Sequence, residues 1–238
     1  MKKRSFKKKN TFIILIWLFF SWSVIYPIDY SVKQLTQREK EEILKKGYSL
    51  RLKEVKGSPW PELILKTFIN AKPEEACAVF FAYDEHKDFI PDLKISKPLR
   101  YHSPTELDLY FVLNIPWPLK DSHYITYNKL EKNGEGGYRI VWKMVKSDSA
   151  KDSYGGIEFI PYEGKTLLVY KNLSIPKHKI AKLFKGKMLK KAIKTVFAIV
   201  KRVELIKKEK PEKLRNYMER LRGALRGEYI YKEILKNE

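Results

Sequence analysis

The chain has 238 residues, with 49 Lys or Arg against 28 Asp or Glu, a formal charge of +21 and a single cysteine, Cys77. One cysteine excludes an intramolecular disulfide and any multi-cysteine metal site. The charge is unevenly placed: residues 177–238 hold 20 Lys or Arg against 7 Asp or Glu, so the C-terminal end offers a surface suited to anionic partners such as lipid headgroups.

Six basic residues, Lys2, Lys3, Arg4, Lys7, Lys8 and Lys9, precede an apolar run from Phe12 to Ile28. That order reads as an export signal. Its length lies between a signal-peptide core and a spanning helix, so residues 1–30 are expected to be either a cleaved signal peptide or an uncleaved membrane anchor. Either one places the rest of the chain outside the cytoplasm, in the periplasm, free or tethered to the inner membrane.

Residues 31–61 carry a short helix from Gln34 to Gly47, with Thr36 as N-cap and Glu39 as capping-box partner, and a strand from Tyr48 to Val55. Leu63 to Ala71 is a second strand. Pro73 and two acids then open a helix that continues to Tyr83, followed by a short helix at Glu85 to Phe89. From Leu93 to Asn172 the chain alternates six β-rich runs with hairpin-length turns, which predicts an antiparallel meander. Leu107, Leu109, Phe111, Leu113 and Ile115 define one apolar face of it. A long helix from about Ile180 to Lys208 presents Leu189, Ala192, Ile193, Val196, Val200 and Val203 along one stripe, and so is predicted to cover that face. Residues 209–238 form a basic helical extension.

This α+β order, with a curved antiparallel sheet around a long C-terminal helix, resembles the START and Bet v 1-like helix-grip superfamily, and in particular its polyketide cyclase/dehydrase-like branch. The domain expected to carry it is residues 62–208. The likeness rests on Asn70-Ala71-Lys72-Pro73-Glu74-Glu75 leading to Phe89-Ile90-Pro91, on Pro116-Trp117-Pro118 ahead of Ser122-His123, and on Gly156-Ile157-Glu158-Phe159-Ile160-Pro161 paired with Thr166-Leu167-Leu168-Val169-Tyr170. Ser122 and His123 stand where the family pattern carries Arg-Asp, so the contacts made by that pair are not implied here. The resemblance implies an internal cavity for a lipid or other hydrophobic small molecule.

The expected ligand-facing residues are Leu109, Phe111, Leu113, Tyr124, Trp142, Ile157, Phe159, Leu168 and Tyr170 on the strands, with Ile193 and Val196 on the helix. Trp117, held between two prolines, and Lys187, Lys190, Lys191 and Lys194 are expected to meet an anionic membrane surface. His86, His102, His123 and His178 show no metal-ligand spacing, and no nucleophile elbow or phosphate loop occurs, so no cofactor, metal or catalytic set is expected. Two alternatives stay open: a cyclase- or dehydratase-like enzyme with Glu158 or Asp108 as pocket acid should the strand facing be reversed, and a module binding RNA or protein. Export argues against nucleic acid, and a monomer is expected.

Overall fold

The computed structural model describes residues 35–115, 120–134 and 136–229, without the side chain of Lys179. Residues 1–30, expected to be a signal or anchor, and Trp117 lie outside the described residues. Eight strands form one antiparallel sheet: β1 Ser49–Lys53, β2 Glu62–Ile69, β3 Leu93–Ser103, β4 Glu106–Leu113, β5 Ser122–Lys132, β6 Tyr138–Ser147, β7 Ala150–Tyr162 and β8 Lys165–Pro176. Their order is β1-β2-β8-β7-β6-β5-β4-β3, so the meander from β3 to β8 is joined at β8 by the N-terminal hairpin. The late strands run longer than their hydrophobic cores predict; β7 starts at Ala150 rather than Tyr154, because the β6–β7 connection is tight and ladder pairing continues to Ala150↔Pro176.

Four α-helices complete the domain among the described residues: α1 Gln37–Lys46, α2 Pro73–Phe81, α3 Lys185–Glu209 and α4 Pro211–Leu225. The Thr36–Glu39 capping box forms as the spacing predicts, and Gly47 ends α1 in the left-handed region at φ 86°. The predicted helix at 85–89 is a 3₁₀ turn, Tyr83–Asp88, in which the His86 carbonyl accepts from the N–H groups of Phe89 and Ile90.

Helix α3 lies over one face of the sheet, where Val196, Ile199, Val203 and Ile206 are buried. This is the helix-grip arrangement that the order of elements predicts. Every residue of α2 from Ala76 to Phe81 is buried, because α2 is packed from both sides: Phe80 meets Phe159 of the sheet with ring centroids 6.1 Å apart, while α4 covers its outer side with Leu214, Tyr217, Leu221 and Ala224. The C-terminal extension therefore docks on the domain as far as Tyr229. Charge pairs fasten it: Arg222 grips Glu74 through two bonds of 2.7 and 2.8 Å, and Glu85 accepts from Arg202, Lys213 and Tyr217. Burial opposes ionisation of Glu85, but these donors outweigh it and hold the carboxyl below its usual range.

Helix α1 packs on the other side of the β1–β2 edge. Lys66 points there and pairs with Glu39 at 2.9 Å, the two side chains being 1% and 5% exposed. The sheet's opposite faces thus carry different chemistry: an ion pair under α1, and apolar side chains under α2 and α3.

Candidate functional site: a cavity under the long helix

The inward face of the sheet can be followed in rows across hydrogen-bonded neighbours. One row runs Leu130, Ile140, Ile157, Tyr170, Leu65. The next, one pleat farther from α2, runs Asn128, Trp142, Gly155, Asn172, Leu63. Apart from Tyr170, whose side chain reaches the cavity, the first row and those beyond it toward α2 are packed; Ile140, Ile157, Phe159 and Leu168 are each 0% exposed. At the second row the packing opens into a cavity of about 860 Å³ beneath the N-terminal half of α3.

The walls come from several elements. Leu109, Phe111 and Leu113 of β4 line the cavity, with Ile115 just beyond, as do Tyr124 of β5, Trp142 of β6 and Tyr170 of β8. Phe80, Tyr83 and His86 close the end toward α2, and Met188, Leu189, Ala192 and Thr195 of α3 form the roof. Phe111 stacks on Tyr124 of the neighbouring strand at 5.2 Å, and Trp142 of β6 meets Tyr170 of β8 at a tilt with ring centroids 5.6 Å apart, so the aromatic rings brace one another across strands.

Other residues expected to face a ligand lie elsewhere. Ile157, Phe159, Leu168 and Val196 sit in the packed core rather than in the cavity wall, and Ile193 packs partly buried against that core. The physical reason is that α2 fills the hollow of the sheet at that end. Period-2 facing says which side a strand residue takes, not whether another element already occupies the space opposite it.

The sequence reading missed the polar part of the wall. Thr126 and Asn128 of β5, Ser153 of β7, and Asn172 and Ser174 of β8 all line the cavity, and Thr126 and Asn128 are each 4% exposed. The available signal was a broken rule: polar residues at inward positions of strands whose other inward residues are apolar. Asn128 Nδ2 donates to the Thr126 carbonyl and to Thr126 Oγ1, both at 2.8 Å, and Trp142 Nε1 donates to Asn172 Oδ1 at 3.3 Å. Burial pushes the Tyr170 hydroxyl up to about 12, and burial with Tyr170 nearby raises Tyr124 further, so both remain neutral donors. Burial also pushes His86 down to about 4; its Nε2 donates to the Phe80 carbonyl at 2.7 Å.

Three tethers hold the roof over the cavity. Trp60 Nε1 donates to the Ala181 carbonyl at 2.9 Å, Lys185 pairs with Glu54 at 3.0 Å, and Lys191 reaches Asp92 and the Asn114 carbonyl, each at 3.2 Å. Lys191 is thereby committed inside the protein, whereas Lys187, Lys190 and Lys194 are exposed at the cavity rim. Ile180 and Leu183, 47% and 80% exposed, project from the turn leading into α3.

Glu158 and Asp108 do not enter the cavity: each alternates with fully buried inward residues, Ile157 and Phe159 or Leu107 and Leu109, and so takes the other face. At the position of the family's Arg-Asp pair, Ser122 lines the mouth and bonds Ser149, and His123 Nδ1 meets the Tyr110 hydroxyl at 2.7 Å. Among the described residues, no group of three or more His, Cys, Asp or Glu could hold a metal ion, and no helix is long and apolar enough to cross a membrane.

Solved structures share this architecture. A STAR-related lipid transfer protein fragment from Xanthomonas axonopodis is similar with a TM-score of 0.61 and 17% identity, covering 67% of this chain and 94% of that one. Human STARD10 is similar at 0.63 and 17%, covering 74% and 77%. The chain has the START-type helix-grip fold. The same helix grip is found in the Zhui aromatase/cyclase of a Streptomyces species, at a TM-score of 0.55 and 8% identity over 68% of this chain and 98% of that one. Neither models of protein families nor the sequences of curated proteins match the chain. The likeness is therefore one of fold, and within that fold α4 is packed on α2 as described above.

Proposed function

We propose that this protein binds a lipid or other hydrophobic small molecule in the cavity under α3, and carries it between surfaces outside the cytoplasm. The observation that carries the binding is the cavity of about 860 Å³ itself, within the volume range of small-molecule sites and walled by aromatic and aliphatic side chains with a few neutral polar groups. A sheet and helix without a ligand to hold would be expected to collapse to native packing density there, as they do at Ile140, Ile157 and Val196. The lipid-transfer titles of the similar structures point the same way.

Export is supported by the basic-then-apolar order of residues 2–28. Docking on an anionic membrane is supported by Lys187, Lys190 and Lys194 at the cavity rim and by exposed Ile180 and Leu183 beside them. Native mass spectrometry of the protein purified from its own cells tests the binding: the expected result is an adduct of lipid mass that organic extraction removes. A protein that carries no adduct and takes up neither fatty acids nor phospholipids from vesicles refutes it. Fractionation of the same cells tests location, and recovery in the cytosol would overturn export.

A further inference from the structure

The inward face of an antiparallel sheet under a helix is ordinarily apolar, because a polar group buried without a partner costs free energy. Here it changes chemistry where the packed core ends. Asn128 and Asn172 stand in the first row bordering the cavity, and both keep half of their hydrogen-bonding capacity unused. Asn128 spends its Nδ2 on Thr126, which leaves Oδ1 as an acceptor. Asn172 spends Oδ1 on Trp142, which leaves Nδ2 as a donor. The hydroxyls of Tyr124 and Tyr170 have no hydrogen-bond partner among the described residues. The cavity floor therefore offers an acceptor, a donor and two hydroxyls that can do either.

No charge stands among them. The lining Lys185, Lys187, Lys190, Lys191 and Lys194 lie on the roof helix, Lys185 paired with Glu54 and Lys191 with Asp92, while Asp92, Lys120, Asp121 and Asp148 lie in loops at the strand ends. Asp121 is seven residues along the chain from Asn128, roughly 20 Å at the rise of an extended strand. Lys66, although buried, faces α1 and is paired with Glu39 on the other side of the sheet. A phosphate or carboxylate on the floor would exchange its hydration for neutral partners alone among the floor side chains. A plain hydrocarbon chain would leave the four polar groups facing it unpaired.

We infer that the cavity floor is a recognition site for an uncharged hydrogen-bonding group, and that the ligand is a neutral polar lipid with a hydroxyl next to ester or amide carbonyls, bound with that group inward. This rests on the cavity-binding reading above and names its ligand class. The free hydroxyl of such a lipid matches Asn128 Oδ1, and its carbonyls match Asn172 Nδ2 and the tyrosine hydroxyls.

The test uses the full chain and the apolar reporter N-phenyl-1-naphthylamine, displaced by 1,2-dioctanoylglycerol or by dioctanoyl phosphatidic acid, which share acyl chains and differ in the charged phosphate. Dioctanoylglycerol is expected to displace the reporter at the lower concentration. The double variant Tyr124→Phe/Tyr170→Phe removes only two hydroxyls, and is expected to bind dioctanoylglycerol about tenfold more weakly while still folding cooperatively and taking up the reporter. Asn172→Leu is expected to weaken it in the same direction. Tighter binding of phosphatidic acid, or an unchanged dioctanoylglycerol affinity in the double variant, overturns the neutral-lipid inference while leaving the cavity reading standing. Failure of the wild-type protein to bind the reporter or either lipid removes both.

Discussion

The indole of Trp142 occupies the space above Gly155: a Cβ on that glycine would stand 2.6 Å from Cζ2 of the indole and would also clash with the Lys171 carbonyl oxygen. With no side chain on β7 at this point, the ring crosses the strand and its Nε1 reaches Asn172 on β8. The bare position thus lets one side chain link β6 to β8 and roof part of the cavity floor.

Gly155→Ala is accordingly expected to displace the indole and break its bond to Asn172. The overpacking should cost about 1–3 kcal/mol, read as a lower melting temperature. Ligand affinity should fall with it. A variant that melts and binds as wild type would show that both the indole and the β8 backbone at Lys171 can move aside at little cost.

Val196 is fully buried at the border between the packed and hollow halves of α3. Val196→Asp forces an unpaired carboxylate into the apolar core at a cost of several kcal/mol, and the domain should lose cooperative melting or melt far lower. Met188, over the cavity and only partly buried, supplies the contrast: Met188→Asp should be much milder. Equal effects at the two sites would contradict the division of α3 into packing and roofing halves.

His86 makes stability depend on pH. Its folded-state value near 4 lies below the usual imidazole value of 6.5, with burial as the main cause. The unfolded chain therefore takes up a proton that the folded one refuses, and stability falls as pH drops from about 6.5 toward 4, by up to about 3 kcal/mol in all. Chemical denaturation at pH 7.5, 6 and 5 should show this decline, and His86→Gln, which keeps a donor for the Phe80 carbonyl, should flatten it. A profile unchanged by the substitution would assign the decline to other groups.

Changing Lys187, Lys190 and Lys194 together to Gln tests the proposed membrane contact. Each lysine near an anionic surface contributes about 1 kcal/mol, so vesicle binding should weaken by up to about 3 kcal/mol at low salt, and the difference should shrink at high salt. Lys191 is left out because it already holds Asp92 and Asn114. Co-sedimentation with anionic vesicles reads the outcome; undiminished binding would leave the rim lysines with solvation alone.

By itself the sequence determined the elements and their order. The capping box at Thr36, the proline opening α2, the hairpin-length turns and the α3 stripe are local signals, and local hydrogen bonding and side-chain periodicity suffice to express them. It also pointed to the inward face of β4, since Leu107, Leu109, Phe111, Leu113 and Ile115 fall at every second position, although the reversed facing stayed open until the structure placed Asp108 on the other side. What it could not contain was how far α2 reaches under the sheet. That reach depends on α4 pressing α2 from outside, a contact between segments more than a hundred residues apart, as in Glu74 and Arg222. Where α2 fills the space, Ile157, Phe159 and Leu168 are core. Where it stops, the same face of the same strands borders a void, and Asn128 and Asn172 form part of its floor. Burial and exposure to a cavity are properties of what lies opposite a residue, and only the tertiary structure decides that.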